Sequence, residues 1–388
     1  MSFLGAARAA LAGQSGVCRI LGAALALAPA CIFISCGGST SRTVSPNHLA
    51  YVTLPARGSV ATLSIDGATG IITMGSQTPQ VEGTSPRGLA LLPSKKFLYA
   101  VNSQANTISI FSVGSDGSLT LAATPTPAGN GADNAVIDPS GKYLLVSNNF
   151  SNSISVFSIN ASTGALSEVA GSPFYANSDP TEILITPSGN FVYVTNPGIG
   201  MVTGFSFSSG VLTTVPNSPI FSGLGAAGLT VDSGGRFLYV TNPSALNPLV
   251  ATIGNISGFN IDPSTGALTP IIGSPFTSSQ GDGPTSIAVD PSGRFVYAIT
   301  SGSSYSIWCF TIMSTNGQLT PVTSSPFSLT AGGLFALFDP SGNYLYVGTA
   351  TESGVAGFSY NPSTGVPSTI VDSPFSTGTP PGKMVLSE

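Results

Sequence analysis

Apolar residues in this chain come in short bursts of five to seven, rich in Val, Ile, Phe and Tyr, and each burst ends at Gly, Pro, Asp or Asn. Bursts of that length and composition predict strands rather than helices. One stretch, residues 179 to 234, shows the grammar. A strand is expected around Glu182 to Thr186, then the turn Pro-Ser-Gly, a strand from Phe191 to Asn196, a loop, a strand from Val202 to Phe207, the turn Ser-Ser-Gly, and a last strand near Leu212 that ends in a Pro-rich loop. These strands are called a, b, c and d in that order.

The same grammar recurs along the chain. KFLYAVN (96 to 102), KYLLVSN (142 to 148), NFVYVTN (190 to 196), RFLYVTN (236 to 242), RFVYAIT (294 to 300) and NYLYVGT (343 to 349) are one unit, and HLAYVTL (48 to 54) is a seventh copy. Their central positions, Tyr51, Tyr99, Leu145, Tyr193, Tyr239, Tyr297 and Tyr346, are spaced by 48, 46, 48, 46, 58 and 49 residues. Periods of that length, each holding four short strands, predict an all-β, seven-bladed β-propeller. The turns support the same division. Asp-Pro-Ser-Gly joins a to b at 138, 290 and 339, with Thr186 replacing Asp once, and Asn160-Ala-Ser-Thr-Gly164, Asp262-Pro-Ser-Thr-Gly266 and Asn361-Pro-Ser-Thr-Gly365 join c to d. Pro presets φ, Asp or Asn caps the turn and Gly takes the left-handed position, so these turns need no calcium to explain them. Ser-Pro-Phe recurs at 172, 274, 325 and 373, and its Phe is expected to pack between blades.

The ends of the repeat imply how the ring closes. The first copy is a b strand with no a strand before it, while Gly382-Lys-Met-Val-Leu-Ser387 matches the a strands GLALLPS (88 to 94) and SIAVDPS (286 to 292). The last strand is therefore expected to complete the first blade in a three-plus-one arrangement, leaving no open edge.

Composition narrows the function. Of 388 residues, only 11 are Lys or Arg and 16 Asp or Glu, a net charge of -5, while 47 Gly and 30 Pro accompany a hydrophobic fraction of 42%. No basic stripe exists for nucleic acid, and a single His leaves little for histidine-based metal or acid-base chemistry. No resident metal or cofactor is expected. Before the repeat, Arg8 and Arg19 flank small residues, and Ile20 to Ser35 is almost wholly apolar before Cys36-Gly-Gly. That is the pattern of an export signal. It predicts a signal at 1–35, a linker at 36–47, the propeller at 48–388, and a periplasmic or cell-surface protein. The sequence Ser35-Cys36-Gly-Gly resembles a bacterial lipoprotein cleavage site, which would make Cys36 the lipidated first residue and a lipid anchor the protein's membrane contact. Cys309 lies in an apolar strand with no cationic neighbour in sequence and reads as a small buried hydrophobe.

Repeated Tyr-Val-Thr-Asn strands, Asp-Pro-Ser-Gly turns and Gly-x-Leu-Thr strands resemble the lactonase-type seven-bladed propellers, which include cycloisomerase-type 6-phosphogluconolactonases and fungal carboxymuconate cyclases. The resemblance covers 48 to 388. It implies a Pro-Arg-His motif entering an a strand and a Glu after the next b strand. Here Ser85-Pro86-Arg87-Gly88 precedes Asn102-Ser103, so Arg87 matches while Gly88 and Ser103 stand where the His and Glu would be. His48, at the start of the first strand, reads as a solvated end residue.

Propeller geometry places the d-to-a and b-to-c loops on one face, around the channel mouth. The polar residues expected there are Arg87, Asp133, Asn134, Glu182, Thr285 and Lys383, joined by Asn102, Asn148, Asn196 and Asn242 at the ends of b strands. Arg87 with Asp133 or Glu182 is the candidate catalytic set. Lys383 and the Asn residues are candidate ligand-binding groups, and the b-strand Asn residues could equally form turns. A long b-to-c connection, Asn242 to Asn255, lies on the same face as a candidate recognition loop. Trp308, with Phe310 and Ile312 on its face, is expected to pack between blades. Two functional classes follow. One is a cell-envelope binding or scaffold protein that engages a small molecule, polysaccharide or envelope protein. The other is a lactone hydrolase or cyclase using Arg87 and a carboxylate. A cofactor-bearing dehydrogenase finds no metal-ligand cluster to support it.

Overall fold

Short, β-branched strands punctuated by Gly and Pro produce an almost wholly β structure. A computed structural model describes residues 47–79, 84–243, 254–277, 283–302 and 304–387. The segment expected to be an export signal, Cys36 and residues 244–253 of the candidate recognition connection lie outside the described residues. The repeat folds into seven antiparallel sheets, each ordered a-b-c-d from the inside outward, which are the seven blades. The b strands Phe97–Asn102, Phe191–Asn196, Phe237–Asn242, Phe295–Thr300 and Tyr344–Thr349 are buried along their whole length, because another blade packs on each side. Among the described residues no helix is long and apolar enough to cross a membrane.

The ring closes as the repeat register predicts. Met384–Ser387 pairs antiparallel with His48–Leu54, placing Leu49 opposite Ser387 and Val52 opposite Met384. Seven clusters of buried apolar side chains occupy the seven junctions, each drawing on two neighbouring blades. Trp308, fully buried, lies in the cluster between blades 5 and 6. Cys309 is buried between blades 6 and 7, and burial pushes its thiol up to about 12, far from a reactive thiolate.

Polar bonds lock the same junctions. The b-strand tyrosines Tyr99, Tyr193, Tyr239, Tyr297 and Tyr346 donate to the carbonyls of Gly164, Gly266, Gly317, Gly365 and Gly70, in the c-to-d turn of the following blade, at 2.7–3.0 Å. The last of these joins blade 7 to blade 1. Between blades 1 and 2 Thr62 makes the bond to Gly117 instead, at 3.1 Å, and the Tyr51 hydroxyl is buried without a hydrogen-bond partner. Between blades 3 and 4 Leu145 stands at the tyrosine position, and Tyr143 packs edge-on against Phe207.

One element was not expected from the strand pattern. In five blades a fifth two-residue strand follows d and pairs with the start of c. In blades 3, 4, 6 and 7 the preceding Ser hydroxyl accepts a c-strand N–H, as Ser172 does from Val156 and Ser325 from Cys309, both at 2.9 Å. The Phe of Ser-Pro-Phe packs into the junctions as expected, with Phe276 and Phe375 buried there. The turns behave as read. Asp290 accepts the N–H groups of Arg294 and Phe295, at 2.8 and 2.7 Å, and the hydroxyl of Ser292.

Candidate functional site

The a strands do not enter the channel straight. Opposite the ends of their b strands, four of them slip register by one residue: around Arg87 in blade 2, Asp133 and Asn134 in blade 3, Thr285 in blade 6 and Leu334 in blade 7. Such a bulge turns an extra side chain away from the sheet. In these four blades the bulge presents one side chain at the mouth, and the residue there differs from blade to blade.

The backbone at these points is held by the third residue of Tyr-Val-Thr-Asn. Thr53, Ser147, Thr195 and Thr241 accept the N–H of Lys383, Asn134, Glu182 and Gly228, at 2.8, 3.2, 3.1 and 2.7 Å. The first three also donate to the a strand of the next blade, at the carbonyls of Arg87, Thr181 and Ala227. Each hydroxyl therefore fixes a residue at the mouth, and the first three also couple it to the next blade. Reading the sequence missed this role, although the signal was present: a hydroxyl recurs at that position in four of the seven copies.

Arg87, Asp133, Asn134, Glu182, Thr285 and Lys383 all line one cavity of about 690 Å³. Its charge is one-sided. Lys383, Arg87, Asp133 and Glu182 come from blades 1 to 4, whereas blades 5 to 7 contribute Leu229, Ile287, Leu334 and Leu337. Lys383 Nζ reaches Glu182 Oε1 at 2.6 Å, and the buried Asn134 amide donates to the other oxygen, Oε2, at 2.7 Å. Both oxygens of Glu182 are therefore engaged. Asp133 is held more loosely, with Arg87 Nη1 at 3.4 Å from Oδ1 and 63% of the Arg87 side chain exposed. Burial raises the Asp133 carboxyl above the usual carboxylate range, Arg87 pulls it back, and Glu182 pushes it up again. A carboxylate raised by burial beside an exposed guanidinium can exchange a proton with water or substrate, while the cation receives negative charge.

The four b-strand asparagines are placed differently from the expectation that they could bind ligand. Asn102, Asn148, Asn196 and Asn242 are buried inside their blades. Asn102 and Asn148 bond the hydroxyls of Ser109 and Ser155, and Asn196 bonds the carbonyls of Ala176 and Ser178. Their amides tie b to c, and none of the four lies on the cavity wall. His48 begins its b strand half-buried, at the end opposite the mouth. At Gly88 a Cβ would sit 2.8 Å from both Asn134 Cα and the Asp133 carbonyl oxygen, so blade 3 occupies the space a side chain would need. Among the described residues no group of His, Cys, Asp and Glu is arranged to hold a metal ion.

Seven closed blades around a mouth that carries two opposite-charge pairs define a propeller with a polar central cavity. The chain belongs to the family described as Lactonase, 7-bladed beta-propeller, whose profile matches residues 41–133, 120–220, 208–328 and 254–381. A search of curated proteins returns no match. Among solved structures, a Bacteroides fragilis protein provisionally named a 6-phosphogluconolactonase is 20% identical, with a TM-score of 0.74 over 89% of this chain and 99% of that one. The periplasmic gluconolactonase PpgL of Pseudomonas aeruginosa is 18% identical, with a TM-score of 0.71 over 88% of this chain and 99% of its own. A Lactobacillus plantarum protein is similar at 17% identity and a TM-score of 0.71, over 88% of this chain and 100% of its own. At these identities the likeness is one of fold.

Proposed function

We propose that the protein is an exported sugar-lactone hydrolase working at the channel mouth. The observation that carries this reading is the convergence of Asp133, Arg87, Glu182 and Lys383 on one cavity. Asp133 serves as general base. It takes a proton from a water that attacks the lactone carbonyl, and returns it to the ring oxygen as the C–O bond breaks. Arg87 and Lys383 hold the oxyanion and then the carboxylate product. Glu182, with both oxygens engaged, positions the Lys383 ammonium instead of acting as base. The export signal and the likeness to a periplasmic gluconolactonase support export; lipidation at Cys36 is tested by fractionating a Cys36→Ser variant, which should leave the membrane pellet.

Purified protein lacking residues 1–47 should hydrolyse a δ-lactone of a sugar acid, phosphorylated or not, faster than buffer, measured by pH-stat. Arg87→Ala should abolish the excess, and Asp133→Asn should lower it by about 100-fold or more. No excess turnover across sugar and aryl lactones would refute the hydrolase reading. A second reading, a cell-envelope binding or scaffold propeller, is favoured by one observation: Gly88 and Ser103 stand where the family's His and Glu would be. In that case calorimetry would show sugar acids or lactones binding at the mouth without turnover.

A further inference from the structure

The fifth strands offer a comparison the repeat itself controls. Their second residue faces the first residue of the c strand, and in blades 2, 6 and 7 it is Pro127, Ser328 and Ser376. In blades 3 and 4 the same position holds Tyr175, opposite Ser153, and Phe221, opposite Met201. Both rings are out in solvent, 70% and 53% exposed. The fold does not require them, since a small polar residue serves elsewhere. The b-to-c loops repeat the pattern. Phe150, 75% exposed, follows Asn149 in blade 3, where blade 2 has Gln104 after Ser103 and blade 7 has Thr351 after Ala350.

These aromatic residues adjoin the cavity. Phe150 lies over Gly131, two residues before Asp133, and Asn149 N–H bonds the Gly131 carbonyl at 2.9 Å. In blade 4, Pro197 lines the cavity and the loop continues through the exposed Ile199 to Gly200, whose carbonyl accepts Ser222 N–H, next to Phe221. The loops that carry the rings also hold amides and hydroxyls, among them Asn130, Ser151, Asn152, Asn177 and Ser178, and Ser151 N–H bonds the Asn130 carbonyl while Ala176 N–H bonds that of Asn152. No Lys or Arg occurs between Lys142 and Arg236. Exposed aromatic surface beside amides and hydroxyls, with one acid, Asp179, and no cation, suits neither nucleic acid nor anionic lipid. It suits a neutral polyhydroxylated ring, whose C–H face stacks on an aromatic ring while its hydroxyls meet amides at the edge.

We propose that the mouth-side rim of blades 3 and 4, built on Phe150, Tyr175 and Phe221, docks a neutral glycan chain whose end reaches the central cavity. The sugar chemistry rests on the lactone-site reading, but docking itself needs no turnover. Native electrophoresis through gels containing hydroxyethylcellulose, galactomannan or mixed-linkage β-glucan tests it directly. The wild type should be retarded by at least one of these polymers. Tyr175→Ala with Phe221→Ala should weaken the binding by about tenfold, the sum of two lost stacking contacts, and adding Phe150→Ala should remove it. Ser328→Ala, at the matching position in blade 6, should leave retardation unchanged. Turnover of a monosaccharide lactone and the melting temperature should stay at wild-type values in the aromatic variants. Absence of retardation in every polymer overturns the glycan inference while leaving the lactonase reading intact. A dimer seen by sedimentation and abolished by the same double variant would overturn it in favour of self-association. Loss of lactone turnover in the wild type together with intact retardation refutes only the hydrolase reading.

Discussion

At the junctions between blades the chain repeats itself, and at the mouth it does not. Five junctions carry the same Tyr-to-Gly bond, at residues separated by 65 to 78 positions within the chain or by 276 where the ring closes. The side chains at the mouth, by contrast, differ in chemistry from blade to blade: Arg87, Asp133, Thr285 and Leu334 stand at bulges, while Lys383, Glu182 and Gly228 occupy the next position, where the backbone N–H bonds a b-strand hydroxyl. Repetition at the junctions supplies stability through many similar small contributions. In four blades a bulge releases one position from that duty, and Arg87 and Asp133 stand at two of these.

The sharpest way to break the contrast is to open the ring. Deleting residues 382–388 removes the strand that pairs with His48–Leu54 and the Lys383 that pairs with Glu182. The protein should lose its cooperative melting transition by calorimetry; a truncated protein that melts like the full one would refute closure by this strand. A smaller effect comes from Gly88→Ala, whose Cβ meets the backbone of Asp133 and Asn134. Overpacking there should cost about 1–3 kcal/mol in denaturant melts, and should disturb activity as well because it displaces Asp133.

Smaller again is a paired test of the junctions. Tyr193→Phe deletes a buried hydroxyl bonded to Gly266 at 2.7 Å and should cost about 1 kcal/mol. Tyr51→Phe, whose hydroxyl has no partner, should be neutral within error. Equal costs would refute the role given to the Tyr-to-Gly bonds.

The least perturbing test is pH. Because burial raises the Asp133 carboxyl, lactone turnover should gain its acid limb above the ordinary carboxylate range, and Arg87→Lys, which keeps the charge, should preserve that limb better than Arg87→Gln. The stability effect has the opposite sense. A group whose folded value is raised contributes fully below its unfolded value, and the contribution is lost as pH rises through the folded one. Asp133→Asn should therefore raise the melting temperature at neutral pH and not in acid. An unchanged difference across pH would refute the assignment.

Most of the fold was legible because blades repeat. Tyr-Val-Thr-Asn marks every b strand by composition, and Asp-Pro-Ser-Gly fixes the turn before it by local chemistry alone. The closing strand was legible from its likeness to the other a strands. The cavity residues were reached by position in the repeat, but their geometry was not. A bulge depends on how two strands pair, and nothing in Pro86-Arg87-Gly88 itself reports that Arg87 is the extra residue. The asparagines misled for a related reason: Asn102 and Asn148 sit at strand ends, where loops begin, yet their amides point back into the blade toward c-strand hydroxyls. Nothing in the sequence chose between Glu182 and Asp133 as base. The ammonium of Lys383, brought across the ring by closure, and the amide of Asn134 separate a fully engaged carboxylate from a loosely held one.

That ammonium also ties the timing of assembly to function. Lys383 sits directly before the strand that shuts the ring, and it contacts Glu182 on the far wall. A chain emerging from its N-terminus has made blades 2 to 7 before the first blade can be completed. During that interval Glu182 lacks its cation and the edge of His48–Leu54 is unpaired. A half-built molecule therefore carries no complete mouth, and the cavity acquires its full charge pattern in the same event that seals the ring.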